Sequence, residues 1–264
     1  MIWWKRKKAN GPGSADAPVV VPLGADVTHV YAIGDVHGMK GLATRAEAAI
    51  AADPSFSPEH SVILYMGDLI DRGPDTAFLL DWLAIRSKTG ARRMFLRGNH
   101  EAMMQAYLDD PTAHENWLDF GGLETLNSYG ILERPDKLRK MRDRDIRALL
   151  DTTISQSHRT MLADMVDAVE GEDFFFAHAG VVPDRPLSAQ TKADLLWSRD
   201  RFMAHESGFE KTIVHGHTPV ETPVYALDRV SIDTGAYMTG RLTVAKISIQ
   251  EKTVDFVVVT EARD

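Results

Sequence analysis

The sequence contains no cysteine. Disulfide bonds, thiolate metal ligands and cysteine nucleophiles are thereby excluded, and the chain is compatible with a reducing cytoplasm. Long apolar runs are missing too: none approaches the roughly 18 to 20 uninterrupted residues that span a bilayer. Positive charge is in deficit, with 30 Lys and Arg against 38 Asp and Glu and a net charge of -8. That balance argues against a general nucleic-acid binder. It leaves an anionic substrate open, because bound cations can reverse the local sign at a site. What is present is ordinary globular material: 264 residues, 44% hydrophobic and 26% charged, enough for a substantial core.

The amino terminus stands apart. Trp3 and Trp4 precede Lys5-Arg6-Lys7-Lys8, after which Gly, Pro, Ser and Ala dominate. No apolar segment of about 7 to 15 residues follows the basic cluster, so it does not read as a secretory signal. Residues 1–27 are expected to form a flexible basic and aromatic tail and linker. A weak contact of residues 1–8 with an anionic membrane surface is a further expectation. Residues 28–264 are expected to form one domain.

Within that domain, short apolar runs end in polar clusters. Thr28 to Ile33 ends in GDVHG, Ser61 to Met66 in GDLIDRG, and Arg93 to Leu96 in RGNHE. Asp173 to Ala177 ends in HAG, and Thr212 to Val214 in HGHT. Such runs, bounded by Gly and Asp, fit buried strands. Helix-like stretches at Leu42 to Ala52 and Asp75 to Arg86 separate the first three. Strand and helix in alternation predict a layered α/β core with right-handed crossovers. Residues 102–170 are helical in composition and read as an insertion beside the strand ends. Arg229 to Ile232, Arg241 to Ile249 and Thr253 to Thr260 read as closing strands that pair antiparallel, forming a second sheet or a sheet edge. Leu242, Val244, Ile247 and Ile249 are not all in phase, which predicts a central or bulged strand.

In open α/β sheets, ligands bind at the carboxyl ends of strands. Asp35, His37, Asp68, Asn99, His100, His178, His215 and His217 all lie at such ends. Any one of them alone is better explained as a capping or buried group. Five strand ends carrying oxygen and imidazole donors point to a metal site. Carboxylate, amide and imidazole donors without thiolate suit Mn, Fe or Zn, and the set is long enough for two ions sharing a carboxylate. Such a pair, about 3.5 to 4 Å apart, suits phosphoryl displacement. Arg72, Arg199 and Arg201 add cations able to read a phosphate in bidentate fashion.

GDVHG, GDLIDRG, RGNHE, HAG and HGHT, in that order, resemble the signature of the metal-dependent serine/threonine phosphoprotein phosphatases, within the calcineurin-like metallophosphoesterases. The likeness runs from about residue 28 to about residue 245. WLDFGGLETLNSYG, residues 117–130, and IDTGA, residues 232–236, resemble the bacterial type. The resemblance implies mixed β sheets flanked by helices in an αββα sandwich, with residues 102–170 as its helical insertion. Asp35 and His37 would hold the first metal, Asp68 would bridge, and Asn99, His178 and His217 would complete the second. His100 would be the general acid, oriented by Asp71, while Arg72 and Arg199 would bind phosphoryl oxygens. Of the two histidines in HGHT, His217 is taken as the ligand and His215 as a strand-end residue packed beneath the site.

These readings predict a dinuclear phosphomonoesterase acting on phosphoserine or phosphothreonine proteins, with phosphotyrosine also open, through direct attack by a metal-bridging hydroxide. Manganese is the expected metal. No nucleic acid or obligate partner is expected, and a cytoplasmic location is. The rival within the superfamily is a hydrolase of diadenosine tetraphosphate or another small phosphoester. A non-catalytic scaffold would require missing ligands, and none is missing. Residues 102–170 and the loop from Val181 to Lys192 are expected to wall the cleft.

Overall fold

The computed structural model describes residues 17–206 and 208–261. In chain order it forms β1 (Val20–Pro22), β2 (His29–Ile33), α1 (Lys40–Ala51), β3 (Ser61–Tyr65), α2 (Thr76–Ala84), β4 (Arg92–Phe95) and α3 (Asn99–Asp109). A 3-10 turn at Glu115–Phe120 leads into α4 (Gly122–Ser128), α5 (Pro135–Leu138), α6 (Asp143–Thr153) and α7 (Gln156–Asp164). Then come β5 (Ala168–Glu170), β6 (Phe174–Ala177), α8 (Lys192–Trp197), α9 (Asp200–Ala204), β7 (Thr212–His215), β8 (Val224–Ala226) and β9 (Arg229–Ser231). The chain closes with α10 (Ala236–Thr239), β10 (Arg241–Ser248) and β11 (Thr253–Thr260).

Two mixed sheets result, with strand orders β11-β10-β2-β3-β4 and β1-β5-β6-β7-β9-β8. Strand periodicity explains their stacking. Side chains alternate across a strand, so a strand that is apolar throughout needs cover on both faces. Tyr31, Ile33, Ile63 and Tyr65 pack with Leu42, Ala46, Leu79 and Leu83 of the first helical layer. Their neighbours Val30, Ala32, Val62 and Leu64 face the other way, onto Phe174, Phe176, Val214 and Val230 of the second sheet. Phe175, Ala177 and Ile213 turn outward again, against Leu195 and Phe202. The layers are therefore helix, sheet, sheet, helix, the αββα sandwich that the motif resemblance implies. Burying each Leu, Ile or Phe in these layers contributes about 1.5–3 kcal/mol.

Three features refine the sequence reading. Val20–Pro22 lie within the expected linker, yet β1 pairs in parallel with β5, and Val21 is buried. The ordered fold thus starts before residue 28. Second, of the two expectations for β10, central or bulged, it is the central one, with β11 at the sheet edge. It lies between β11 and β2, with Leu242 and Val244 toward the helices and Ala245 and Ile247 toward the second sheet. Its apolar residues fall out of phase because both faces are covered. Third, the closing strands divide: β9 joins the second sheet, while β10 and β11 extend the first. The basic cluster proposed for membrane contact lies outside the described residues. Among the described residues, no helix is long and apolar enough to cross a membrane.

Candidate active site

Strands β2, β3 and β4 run parallel in one sheet, and β6, β7 and β9 run parallel in the other. The loops leaving β2, β3, β4, β6 and β7 meet where the sheets adjoin. Asp35 at the end of the first sheet accepts a hydrogen bond from the backbone N–H of His217 in the second, at 3.0 Å. Gly216 permits that approach, since a Cβ there would lie 2.0 Å from Asp35 Oδ1.

Two groups of donor atoms form around Asp68. His37, Asp68 and His100 make one, and Asp68, His178 and His217 the other. His37 Nε2 lies 3.7 Å from Asp68 Oδ2, and His178 Nε2 lies 3.4 Å from Asp68 Oδ1. Asn99 joins the second group, its Oδ1 2.9 Å from His178 Nε2. Asp68 stands between the groups, as a bridging carboxylate would. The first group differs from the set implied by resemblance, because it includes His100 and leaves Asp35 out. Asp35 nonetheless borders the second group, through the N–H of His217 and through its charge on His178.

The residues fit a pair of divalent ions on three grounds. His37 Nδ1 faces the Ile70 carbonyl at 2.8 Å, and His178 Nδ1 faces the Met66 carbonyl at 2.9 Å. Each backbone carbonyl accepts a hydrogen bond from Nδ1–H, which turns Nε2 toward the site in the manner of a metal-bound histidine. Second, Asp35 Oδ1 is buried with no hydrogen-bond partner, an expensive state for a carboxylate oxygen unless a cation meets it. Third, negative charge is crowded. Burial, then Asp233 and Asp68, push the Asp35 carboxyl well above its ordinary range, with His178 opposing. Burial works against charge on His178, yet Asp68 and Asp35 hold it protonated up to about 10. A bound cation would take over that compensating role. The donors are oxygen and imidazole only, which suits borderline or hard divalent ions.

His100 has a different setting. Its Nδ1 lies 2.7 Å from Asp71 Oδ2, and its Nε2 faces the site 3.8 Å from Asp68 Oδ2. Burial alone would lower its pKa, but Asp68 and Asp71 raise it above the ordinary value. Its Nδ1 is held by a buried carboxylate, where His37 and His178 meet backbone carbonyls, and that pairing suits a proton donor. Burial instead holds His37 and His217 down to about 3, the neutral form that ligation needs. For Asp68, burial is outweighed by His178 and His100, and its carboxyl stays well below the usual range.

Arg72 reaches into the site, its Nη1 3.0 Å from His37 Nε2 and its guanidinium over the Tyr237 ring at 5.0 Å. Arg199 is exposed at the start of α9 and adds positive charge beside His217. His215 is where the sequence reading put it, beneath the site. Its Nδ1 lies 3.0 Å from the Gly216 carbonyl and its Nε2 2.8 Å from Ser231 Oγ.

Sequence reasoning missed several supporting groups. Glu101 is buried and accepts hydrogen bonds from the N–H groups of Asp68, Leu69 and Gly98 at 3.0, 2.7 and 2.7 Å. It thereby fixes the loop that carries Asp68. Asp233 is a further buried carboxylate beside Asp35. Both stand inside quoted motifs, RGNHE and IDTGA, which were the available signal. Trp117 and Thr125 also reach Asp71.

Comparison with known proteins gives four findings. Residues 28–260 match the model of the family described as calcineurin-like phosphoesterase. Serine/threonine-protein phosphatase 1 of Salmonella typhimurium is 28% identical over 230 residues, covering 83% of this chain and 92% of that protein. The bis(5'-nucleosyl)-tetraphosphatase PrpE of Bacillus velezensis is 26% identical over 233 residues, covering 80% and 86%. A solved structure named as a candidate diadenosine tetraphosphatase superposes with a TM-score of 0.63 at 18% identity, over 93% of this chain and 100% of that one. At that identity it bears on the fold alone.

Proposed function

The chain belongs to the calcineurin-like phosphoesterases, and on that premise we propose that it is a phosphoprotein phosphatase hydrolysing phosphoserine and phosphothreonine monoesters. Asp68, shared by two donor groups and adjoining the His100–Asp71 pair, is the observation that carries this reading. Asp35, His37, Asp68, Asn99, His178 and His217 would hold two divalent ions, with manganese as the proposed metal. When bound, such ions supply positive charge at the phosphoryl oxygens and activate water at neutral pH.

The chain's own side chains do the rest. Arg72, held against His37 and Tyr237, binds phosphoryl oxygens, and Arg199 adds positive charge beside His217. His100 donates its Nε2 proton to the departing alkoxide as the bond from phosphorus to the ester oxygen breaks. Asp71 holds the imidazole at Nδ1 and stabilises its charge. Water supplies the new oxygen directly to phosphorus, without a phosphorylated side chain. Positioning and fixed charge carry most of the rate.

A second reading, hydrolysis of dinucleoside tetraphosphates, is favoured by the similarity to PrpE. A turnover panel on manganese-loaded protein decides between them, using phosphoserine, phosphothreonine and phosphotyrosine peptides beside diadenosine tetraphosphate. The expected result is a higher kcat/KM on the first two peptides. Preferential turnover of diadenosine tetraphosphate would replace the proposal with the second reading.

A further inference from the structure

Segment 117–130 supplies none of the proposed metal ligands or phosphate-binding groups, yet it converges on Asp71. Asp71 is fully buried. Its Oδ2 accepts from Trp117 Nε1 at 2.8 Å as well as meeting His100 Nδ1 at 2.7 Å. Its Oδ1 accepts from the Thr125 hydroxyl at 2.7 Å, and the same hydroxyl oxygen accepts from the Asp71 N–H at 2.9 Å.

The backbone is held by this segment too. Asp71 and Arg72 both lie in the left-handed region, at φ 70° and 67°. Two consecutive non-glycine residues there persist only when their surroundings over-determine them. The Arg72 N–H is bonded to the Gly121 carbonyl at 3.2 Å, so the 121–125 turn secures both residues. Trp117 is itself packed tightly: a Cβ at Gly122 would lie 2.5 Å from its ring.

We propose that Trp117 and Thr125 are positioning residues that aim the Asp71 carboxylate at His100. A carboxylate held by His100 alone could turn about its own axis and let the imidazole swing. Donors on both oxygens, from two different elements, fix the plane of the carboxylate and with it the direction of His100 Nε2. Thr125 touches no substrate; it acts through Asp71. The inference rests on the reading of His100 as proton donor.

The test uses Thr125→Val, which removes the hydroxyl at nearly constant volume, and Thr125→Ser, which restores it. Two substrates are compared on manganese-loaded protein. A phosphoserine peptide needs a proton on its departing alkoxide, whereas 2,4-dinitrophenyl phosphate does not. Thr125→Val is expected to lower kcat on the peptide about ten- to a hundredfold, with KM nearly unchanged, and to leave the aryl ester within about threefold. Thr125→Ser should restore the peptide rate. Equal losses on both substrates, no loss on either, or a Thr125→Ser variant as impaired as Thr125→Val would overturn the proposal.

A second measurement does not depend on turnover. The Nδ1 proton of His100, assigned by its loss in His100→Asn, should give a strongly deshielded proton resonance in the wild type and in Thr125→Ser. It should move upfield or vanish in Thr125→Val; an unmoved resonance would overturn the proposal. A wild type inert toward phosphomonoesters would remove the phosphatase reading and leave the resonance to decide this one. If Thr125→Val does not fold, Trp117→Phe removes the other donor and is read the same way.

Discussion

His215 and His217 stand two positions apart and do different work. His215 ends a strand in extended backbone, where Gly216 and Ser231 engage both ring nitrogens. His217 follows the glycine at φ 62°, which carries it to the other side of the loop and into the donor group with Asp68. His100 and Asn99 show a comparable division, since adjacent residues at a helix start point in different directions. His100→Asn is expected to lower kcat about 10²- to 10⁴-fold while metal content, read by atomic emission, stays at the wild-type level. Loss of metal in that variant would count against its acid role. Asp68→Asn should instead lose both metal and turnover, because one carboxylate serves both donor groups. Motif residues of this kind were legible in the sequence because each stands at a strand end. Glu101 was less so: its role appears only when its carboxylate is seen to gather the N–H groups of residues 68 and 69.

Among the elements, the strands with long apolar runs were readable, as was the short β9, whereas β1, β5 and β8 were not. These three are too short to carry a periodicity; β1 is a strand by pairing with the distant β5, and β8 by pairing with β9 across a short turn. β10 is instructive for the opposite reason. Its mixed phase follows from cover on both faces, and Lys246, the charged residue in its interior, is met by Asp53 at 2.9 Å. Burial would raise the Asp53 carboxyl, but hydrogen bonds from Lys246 and Ser55 hold it below its ordinary value of 3.8. A depressed carboxylate contributes stability above its unfolded pKa and loses it as pH falls through the folded one. Urea midpoints measured from pH 7 down to pH 3 should therefore fall less for Asp53→Asn than for the wild type. On α2, Leu79 is buried against the first sheet's helical face. Leu79→Ala is expected to cost about 2–5 kcal/mol in urea unfolding, with the metal content of the folded protein retained.

For the whole molecule, the acidic balance and the cation-seeking site belong together: a chain with net charge -8 binds an anionic ester where bound ions reverse the local sign. Removing metal with a chelator should abolish turnover, and adding manganese should restore it; activity that survives metal-free dialysis would contradict the proposed mechanism. The sequence by itself determined the layered α/β class and which donor-bearing side chains stand at strand ends, because such positions are encoded locally, in runs of five to seven letters such as GDVHG and GDLIDRG. Only the tertiary structure decided which donors meet. Asp35 touches His217 across a separation of 182 residues, and Trp117 and Thr125 reach Asp71 from 46 and 54 residues away. Contacts of that range depend on how two sheets stack and where the helical insertion folds back, and no local pattern of residues records either.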